Sequence, residues 1–94
     1  MWPDQVRSAL LLGMDKRHPN LVKIGKLIRE TRKKQGYSQE GFAAEAGLGR
    51  TYMGRVERGE QNISIQNLIQ IAITLKIETS ELIPPLRNLK SIRS

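Results

Sequence analysis

The chain has 94 residues, no cysteine and one histidine, so it can build neither a disulfide scaffold nor a thiolate metal site. Its net charge of +7 favours a polyanionic partner, and no apolar run approaches the about 20 residues of a membrane-spanning helix. The sequence also lacks the usual acid–base, nucleophilic and metal-ligand patterns. We therefore expect a cytoplasmic protein that is not an enzyme, needs no cofactor and contacts no membrane.

The chain is predicted to have three parts. Residues 1–20 form an N-terminal extension, in which Pro3–Leu12 is suited to a short helix. The Pro19-Asn20 pair favours a break in the chain, after which residues 21–83 form the main domain. Residues 84–94 carry basic side chains without an acid and are expected to form a tail.

The main domain opens with a predicted amphipathic helix from Leu21 to Gln35. Its apolar positions recur at helical spacing: Ile24, Leu27, Ile28 and Thr31. Basic residues occupy many of the other positions: Lys23, Lys26, Arg29, Lys33 and Lys34. Gly36 is suited to end this helix.

Two shorter helices are predicted next. Ser38 is suited to cap the first, which runs over Gln39–Ala46, and Gly47 supplies a left-handed turn. The second runs over Arg50–Arg58 and ends at Gly59. The side chains expected to lock the second helix against the first are Leu48, Met53 and Val56. Two short helices joined by such a turn form a helix-turn-helix unit.

The packing of this unit leaves Arg50, Thr51 and Arg55 pointing outward together. Arginine can donate two hydrogen bonds to the major-groove edge of guanine, and threonine offers a hydroxyl and a methyl group to bases. The alternative is a solvated helix surface; within this unit we favour base contact. Gly54 is predicted on the exposed side of the same helix, where it either permits close approach to DNA or loosens the helix.

A fourth helix is predicted from Ile65 to about Lys76, after an N-cap at Ser64. One apolar row would face the core: Ile65, Leu68, Ala72 and Leu75. A fifth, short helix is expected to begin at Thr79 or Ser80 and to end before Pro84.

A second apolar row lies on the fourth helix and its continuation: Ile69, Ile73 and Ile77, with Leu82 and Ile83. Either the N-terminal extension covers this row, or the row forms a twofold dimer interface. We favour the dimer, because one recognition helix contacts too few base pairs for useful specificity.

The domain resembles the XRE (Cro/cI-type) helix-turn-helix regulators through several short runs: Ser38-Gln39-Glu40 with Ala43, Gly47-Leu48, Arg50-Thr51-Tyr52 and Glu57-Arg58-Gly59-Glu60. The resemblance implies an all-α, five-helix Cro/cI-repressor-like domain. The stretch from Arg50 to Ser64 is most similar to the controller proteins of restriction–modification systems.

The resemblance also implies roles for three sets of residues. The base-reading positions of a recognition helix are Arg50, Thr51 and Arg55. The positions that contact the DNA backbone are Gln39, Tyr52, Arg58 and Asn62. A structural ion pair between the first and third helices joins Arg32 and Glu57.

We therefore predict a sequence-specific transcriptional regulator that binds double-stranded DNA as a homodimer on a palindromic operator. Its expected role is that of a restriction–modification controller, with a phage-type repressor as the close alternative. The rival function is an antitoxin-like module that binds DNA and holds a protein partner through its terminal extensions. RNA is disfavoured, because aromatic residues make up only 4% of the chain and single-stranded bases stack on aromatic side chains.

Overall fold

The computed structural model describes residues 17–93, in which the regular structure is entirely helical. Four α-helices precede two short 3-10 helices: α1 is Pro19–Lys34, α2 Gln39–Ala46, α3 Arg50–Glu57 and α4 Ile65–Leu75, and the 3-10 helices are Thr79–Leu82 and Leu86–Asn88. The all-α, five-helix prediction is confirmed, with Thr79–Leu82 as the fifth helix. The predicted helix over Pro3–Leu12 lies outside the described residues. None of the helices in residues 17–93 has the length and apolar character needed to cross a bilayer.

Helix α1 begins at Pro19, earlier than the predicted start at Leu21. Proline fits the first turn of a helix, because the N–H that it lacks would have no intrahelical partner there. His18 caps this end, since its Nδ1 accepts a hydrogen bond from the Asn20 backbone N–H at 3.0 Å. The Pro19-Asn20 pair therefore starts the helix instead of interrupting the chain ahead of it.

Local interactions shape the helix-turn-helix unit of α2 and α3, as the sequence predicted. The Ser38 hydroxyl accepts a hydrogen bond from the Gly41 N–H at 2.9 Å and so caps α2. Gly47 follows α2 with a φ of 74°, a left-handed conformation that other residues rarely adopt. Leu48 packs against the core, and its N–H donates to the Ala43 carbonyl at 2.9 Å. The chain is thereby turned into α3.

The core lies where the four α-helices meet the first 3-10 helix. Its largest fully buried side chains come from all five elements: Ile28, Phe42, Met53, Ile71, Leu75 and Leu82. Two expectations are corrected here. Ile65 was expected in the core, but it is the first residue of α4 and is 65% exposed, while Ile71 is buried. Leu82 was expected at a dimer interface, but it has no exposed surface and belongs to the core.

Helix α1 buries Gly25, Ile28 and Arg32, a stripe with the three- and four-residue spacing of one helix face. A Cβ atom on Gly25 would lie 2.4 Å from the Val56 carbonyl oxygen and 2.7 Å from that of Glu57. Because these distances are far shorter than van der Waals contact, only glycine lets α1 meet the end of α3 backbone to backbone. This crossing brings Arg32 within reach of Glu57.

The segment 84–93, the C-terminal strap, returns along α1 towards its first turn. The Asn20 side chain holds the strap with two hydrogen bonds of 2.8 Å, donating to the Lys90 carbonyl and accepting from the Lys90 N–H. Lys23 Nζ also donates to the Asn88 carbonyl. A groove of about 370 Å³ remains between α1 and the strap, lined by Lys23, Lys26, Leu27, Glu30, Pro84, Pro85 and Asn88. The strap thus covers a face of α1 other than the one that contacts α3.

Candidate DNA-binding surface

Helix α3 buries one side and exposes the other. Its buried residues include Met53, Val56 and Glu57. Its exposed residues include the three predicted base-reading positions: Arg50, Thr51 and Arg55. One surface therefore presents two guanidinium groups and a hydroxyl, which are groups that hydrogen-bond to base edges in the major groove.

A shallow hollow of about 290 Å³ lies beside two of these side chains, Arg50 and Thr51. Its lining residues are Gln39, Arg50, Thr51, Gly54 and Arg58. The lining provides amide, hydroxyl and guanidinium hydrogen-bond donors, and none of these residues is acidic. An anionic group such as a DNA phosphate matches this chemistry.

Gly54 forms the floor of the hollow and is buried. A Cβ atom at this position would lie 3.0 Å from Arg58 Nη1 and 3.5 Å from Gln39 Oε1. The prediction that Gly54 lies on the exposed side of α3 is therefore wrong. Arg58 follows Gly54 by four residues, so its side chain starts on the same face and folds back over the glycine.

Arg58 is paired with Glu60 just beyond the end of α3. Its Nε lies 3.1 Å from Glu60 Oε2, and both side chains keep substantial exposure, 56% and 38%. The hydrogen bond from Arg58 lowers the pKa of Glu60, and the positive charges of Arg17 and Arg55 lower it further. Glu60 thus lies among three arginines, at the edge of the surface that presents the predicted base-reading residues.

A buried network joins α1, α2 and α3 beneath this surface. Arg32 donates to both carboxylate oxygens of Glu57, from Nε at 2.6 Å and from Nη2 at 3.0 Å. Gln39 Nε2 donates to Glu57 Oε1 at 3.0 Å, and Arg32 Nη1 donates to the Tyr37 carbonyl at 2.8 Å. The structure therefore joins the two residues expected to form an ion pair. It also fixes the side chain of Gln39, whose amide nitrogen keeps a second N–H.

The other two residues expected at the DNA backbone differ in their surroundings. Tyr52 is half-buried and packs against the core, and its hydroxyl accepts a hydrogen bond from Asn67 Nδ2 at 2.9 Å. Its own O–H remains a donor. Asn62 is exposed in the loop between α3 and α4. Tyr52 is therefore held by α4, whereas Asn62 extends into solvent.

Helix α4 carries an exposed apolar stripe at four-residue spacing. Ile65, Ile69 and Ile73 are 65%, 38% and 62% exposed, and Ile83, beyond the first 3-10 helix, is 39% exposed. Ile77 is half-buried and packs against the core. Of the five residues expected at a dimer interface, Ile69, Ile73 and Ile83 offer the most surface, and Ile65 joins them from outside the prediction.

Sequence reasoning missed three residues that shape this part of the molecule. Gly25 sets the crossing of α1 and α3, and its spacing from Ile28 could have revealed it. Glu60 was named only as part of the family run, and its pairing with Arg58 two residues earlier was not predicted. Tyr37 packs edge-on against Phe42, with ring centroids 5.2 Å apart, a contact between residues of different segments that no periodicity signals.

Residues 28–82 match the helix-turn-helix family HTH_3, and they make up more than half of the chain. The chain belongs to this family, which is of the XRE type. The match runs from α1 to the end of the first 3-10 helix, so it contains α2, α3 and α4 entirely. The resemblance read from the sequence is confirmed.

Three related proteins are transcriptional regulators or controllers. The HTH-type transcriptional regulator SlrR of Bacillus subtilis is 42% identical over 60 residues, which cover 63% of this chain and 40% of SlrR. The restriction–modification controller protein C.AhdI of Aeromonas hydrophila is 48% identical, with a TM-score of 0.65 over 66% of this chain and 94% of C.AhdI. The biofilm regulator SinR, whose structure was solved in complex with DNA, is 37% identical to this chain. Its TM-score is 0.61 over 63% of this chain and 95% of the SinR chain.

The chain thus spans well under half of SlrR but nearly all of the C.AhdI chain. It is a DNA-binding transcriptional regulator of the XRE type, and its relatives are regulators rather than enzymes.

Proposed function

We propose that this protein binds duplex DNA as a homodimer on a palindromic operator and acts as the controller of a restriction–modification system. The observation that carries the proposal is the exposed face of α3, which presents Arg50, Thr51 and Arg55. Two of these residues, Arg50 and Thr51, also line a hollow suited to a phosphate. A phage-type repressor with the same operator geometry is the alternative role.

In this proposal α3 lies in the major groove. Arg50 and Arg55 donate paired hydrogen bonds to guanine, and Thr51 contacts a neighbouring base. The contacts that hold the backbone come from Gln39, Tyr52, Arg58 and Asn62. Such contacts set the register of α3 without reading sequence themselves.

The apolar stripe of α4 supports the proposal of a homodimer, in which a second copy of the chain covers the stripe. Isoleucine side chains at four-residue spacing lie on one helix face, and an apolar face of this kind is unfavourable in water. A twofold axis through the stripe would pair Ile69 and Ile73 with their counterparts. Two recognition helices would then read half-sites about one helical turn, roughly 34–36 Å, apart.

The controller role rests on the likeness to C.AhdI, whose chain is covered almost completely at 48% identity. C.AhdI is a restriction–modification controller protein, and the match spans 66% of this chain and 94% of C.AhdI. The match covers only 40% of SlrR, so the similarity to SlrR supports a role in transcriptional regulation in general.

Repeated selection from a random duplex pool at physiological salt tests the proposal. We expect a palindrome with half-sites about one helical turn apart. A pool without an enriched motif, retained only by salt-sensitive attraction, would contradict sequence-specific regulation and favour a module that depends on a protein partner.

Variants then test the residues. Arg50→Ala is expected to weaken operator binding by about 1–3 kcal/mol and to relax selection at one base pair. Arg87→Ala removes the same charge from an exposed position in the C-terminal strap and serves as the matched control. An Arg50→Ala variant that weakens all duplexes equally would remove Arg50 from base reading.

A further inference from the structure

Two neighbours, Glu60 and Gly54, determine where the Arg58 side chain lies on α3. Neither of them is among the predicted base-reading residues. Glu60 holds the Nε edge of its guanidinium at 3.1 Å. Gly54 leaves room for the other edge, because a Cβ atom there would lie 3.0 Å from Nη1 and 3.8 Å from Cζ. The guanidinium therefore lies over Gly54 on α3, at the polar hollow that both residues line.

The hollow is suited to one phosphate group. Gln39 lines the same floor, with its Oε1 3.5 Å from the Cβ position of Gly54, and its amide nitrogen is fixed by Glu57. A phosphate entering here would meet the guanidinium of Arg58, on the edge of the hollow formed by Thr51. Fixed donors bind more tightly than free ones because less side-chain freedom is lost on binding.

We propose that Gly54 is a positioning residue, kept without a side chain so that Arg58, held by Glu60, is preset to clamp one DNA phosphate beside the recognition helix. The inference rests on the proposed DNA-binding function and adds to it the reason for a glycine inside a recognition helix. Glycine is otherwise unfavourable there, since it lowers helix propensity relative to alanine.

Gly54→Ala separates this role from a structural one. The added methyl meets the end of a flexible side chain, so the fold accommodates it by moving the guanidinium. We expect the unfolding midpoint to stay or rise, while affinity for the selected operator falls about two- to fivefold, the range that corresponds to one exposed ion pair. The slope of log Kd against log salt should also decrease, by up to about 0.9 for one lost phosphate contact.

Gly49→Ala is the matched control. It adds the same methyl next to α3, at a position where a Cβ atom would meet nothing within 4 Å and φ is an ordinary −69°. Operator affinity and salt slope should remain those of the wild type. Equal losses in both alanine variants would overturn the proposal, because the effect would then not depend on Arg58.

The decisive measurement is a double-mutant cycle with Arg58→Ala. If Gly54 acts through Arg58, adding Gly54→Ala to Arg58→Ala changes neither operator affinity nor salt slope further. Additive losses would overturn the proposal, since the methyl would then obstruct the DNA directly. If the wild type selects no operator, the proposed function fails. If the wild type selects an operator and Gly54→Ala binds it with unchanged affinity, only the proposed role of Gly54 fails.

Discussion

Replacing Glu57 by alanine removes the carboxylate that joins three helices. Glu57 accepts two hydrogen bonds from Arg32 and one from Gln39, at 2.6 to 3.0 Å. The Arg32 and Glu57 side chains are only 8% and 2% exposed. Without the carboxylate, the Arg32 guanidinium stays buried, held by its hydrogen bond to the Tyr37 carbonyl.

The cost follows from the burial of the pair. Removing one partner of a buried ion pair costs about 3–5 kcal/mol, because the remaining charge loses its compensation away from water. Domains of this kind are stable by roughly 5–15 kcal/mol, so the change removes a large share of the stability. With a urea m value of about 1.5 kcal/mol/M, the unfolding midpoint should fall by about 2–3 M.

Urea unfolding followed by circular dichroism measures this loss. Glu57→Gln keeps the shape of the side chain and one acceptor oxygen, so we expect a smaller loss of stability than in Glu57→Ala. This variant should therefore remain folded. The double change Arg32→Met with Glu57→Leu removes both charges and should be more stable than Glu57→Ala alone. A loss below about 1 kcal/mol for Glu57→Ala, the value of an exposed pair, would refute the reasoning.

Three further changes test the packing, the ionisation and the assembly. Gly25→Ala should destabilise the fold by about 1–3 kcal/mol in urea unfolding, because the added Cβ would meet the Val56 carbonyl. This loss should exceed the gain from the better helix propensity of alanine, and a raised unfolding midpoint would contradict it. The Tyr37 hydroxyl donates to Glu45 at 2.7 Å, and this bond raises the pKa of Tyr37. The resulting stability is present below the ordinary tyrosine pKa of about 10 and lost as pH rises through the raised value. The difference in midpoint between wild type and Tyr37→Phe should therefore vanish at high pH, whereas a constant difference would argue against the bond. Ile73→Asp should shift sedimentation towards the monomer while Ile92→Asp, on another exposed isoleucine, should not; an unchanged dimer in both would remove the stripe from the interface.

The exposed pair of Arg58 and Glu60 gives a pH dependence of the opposite kind. Because Arg58 lowers the pKa of Glu60, their pairing contributes stability above the ordinary glutamate pKa and loses it as pH falls through the lowered value. Both side chains are substantially exposed, so salt and water keep this contribution small.

Features that depend on near neighbours in the chain could be predicted from the sequence. The Ser38 cap involves residues three apart, and the Gly47 turn depends on the backbone freedom of one residue. Such short-range interactions are the same whatever the rest of the domain does. The number and type of the helices in the main domain were therefore predictable, and so was the outward direction of Arg50, Thr51 and Arg55.

Features that depend on how helices cross were not predictable in this way. Helical spacing placed Ile65 in the core row of α4, whereas the packed helix exposes Ile65 and buries Ile71. Gly54 was placed on an open face because no pattern shows that Arg58 folds back over it.

The sequence was thus sufficient for the helix-turn-helix fold and the chemistry of α3, because capping, turn and periodicity signals act over a few residues. The family followed from the resemblance of its short sequence runs to known regulators. The packed structure was needed for the backbone contact at Gly25, the burial of Leu82, the strap held by Asn20 and the position of Arg58 over Gly54. Each of these, except the last, joins residues more than ten positions apart, and the last depends on a side-chain conformation. Their geometry is settled only when the apolar faces of all the helices are buried together.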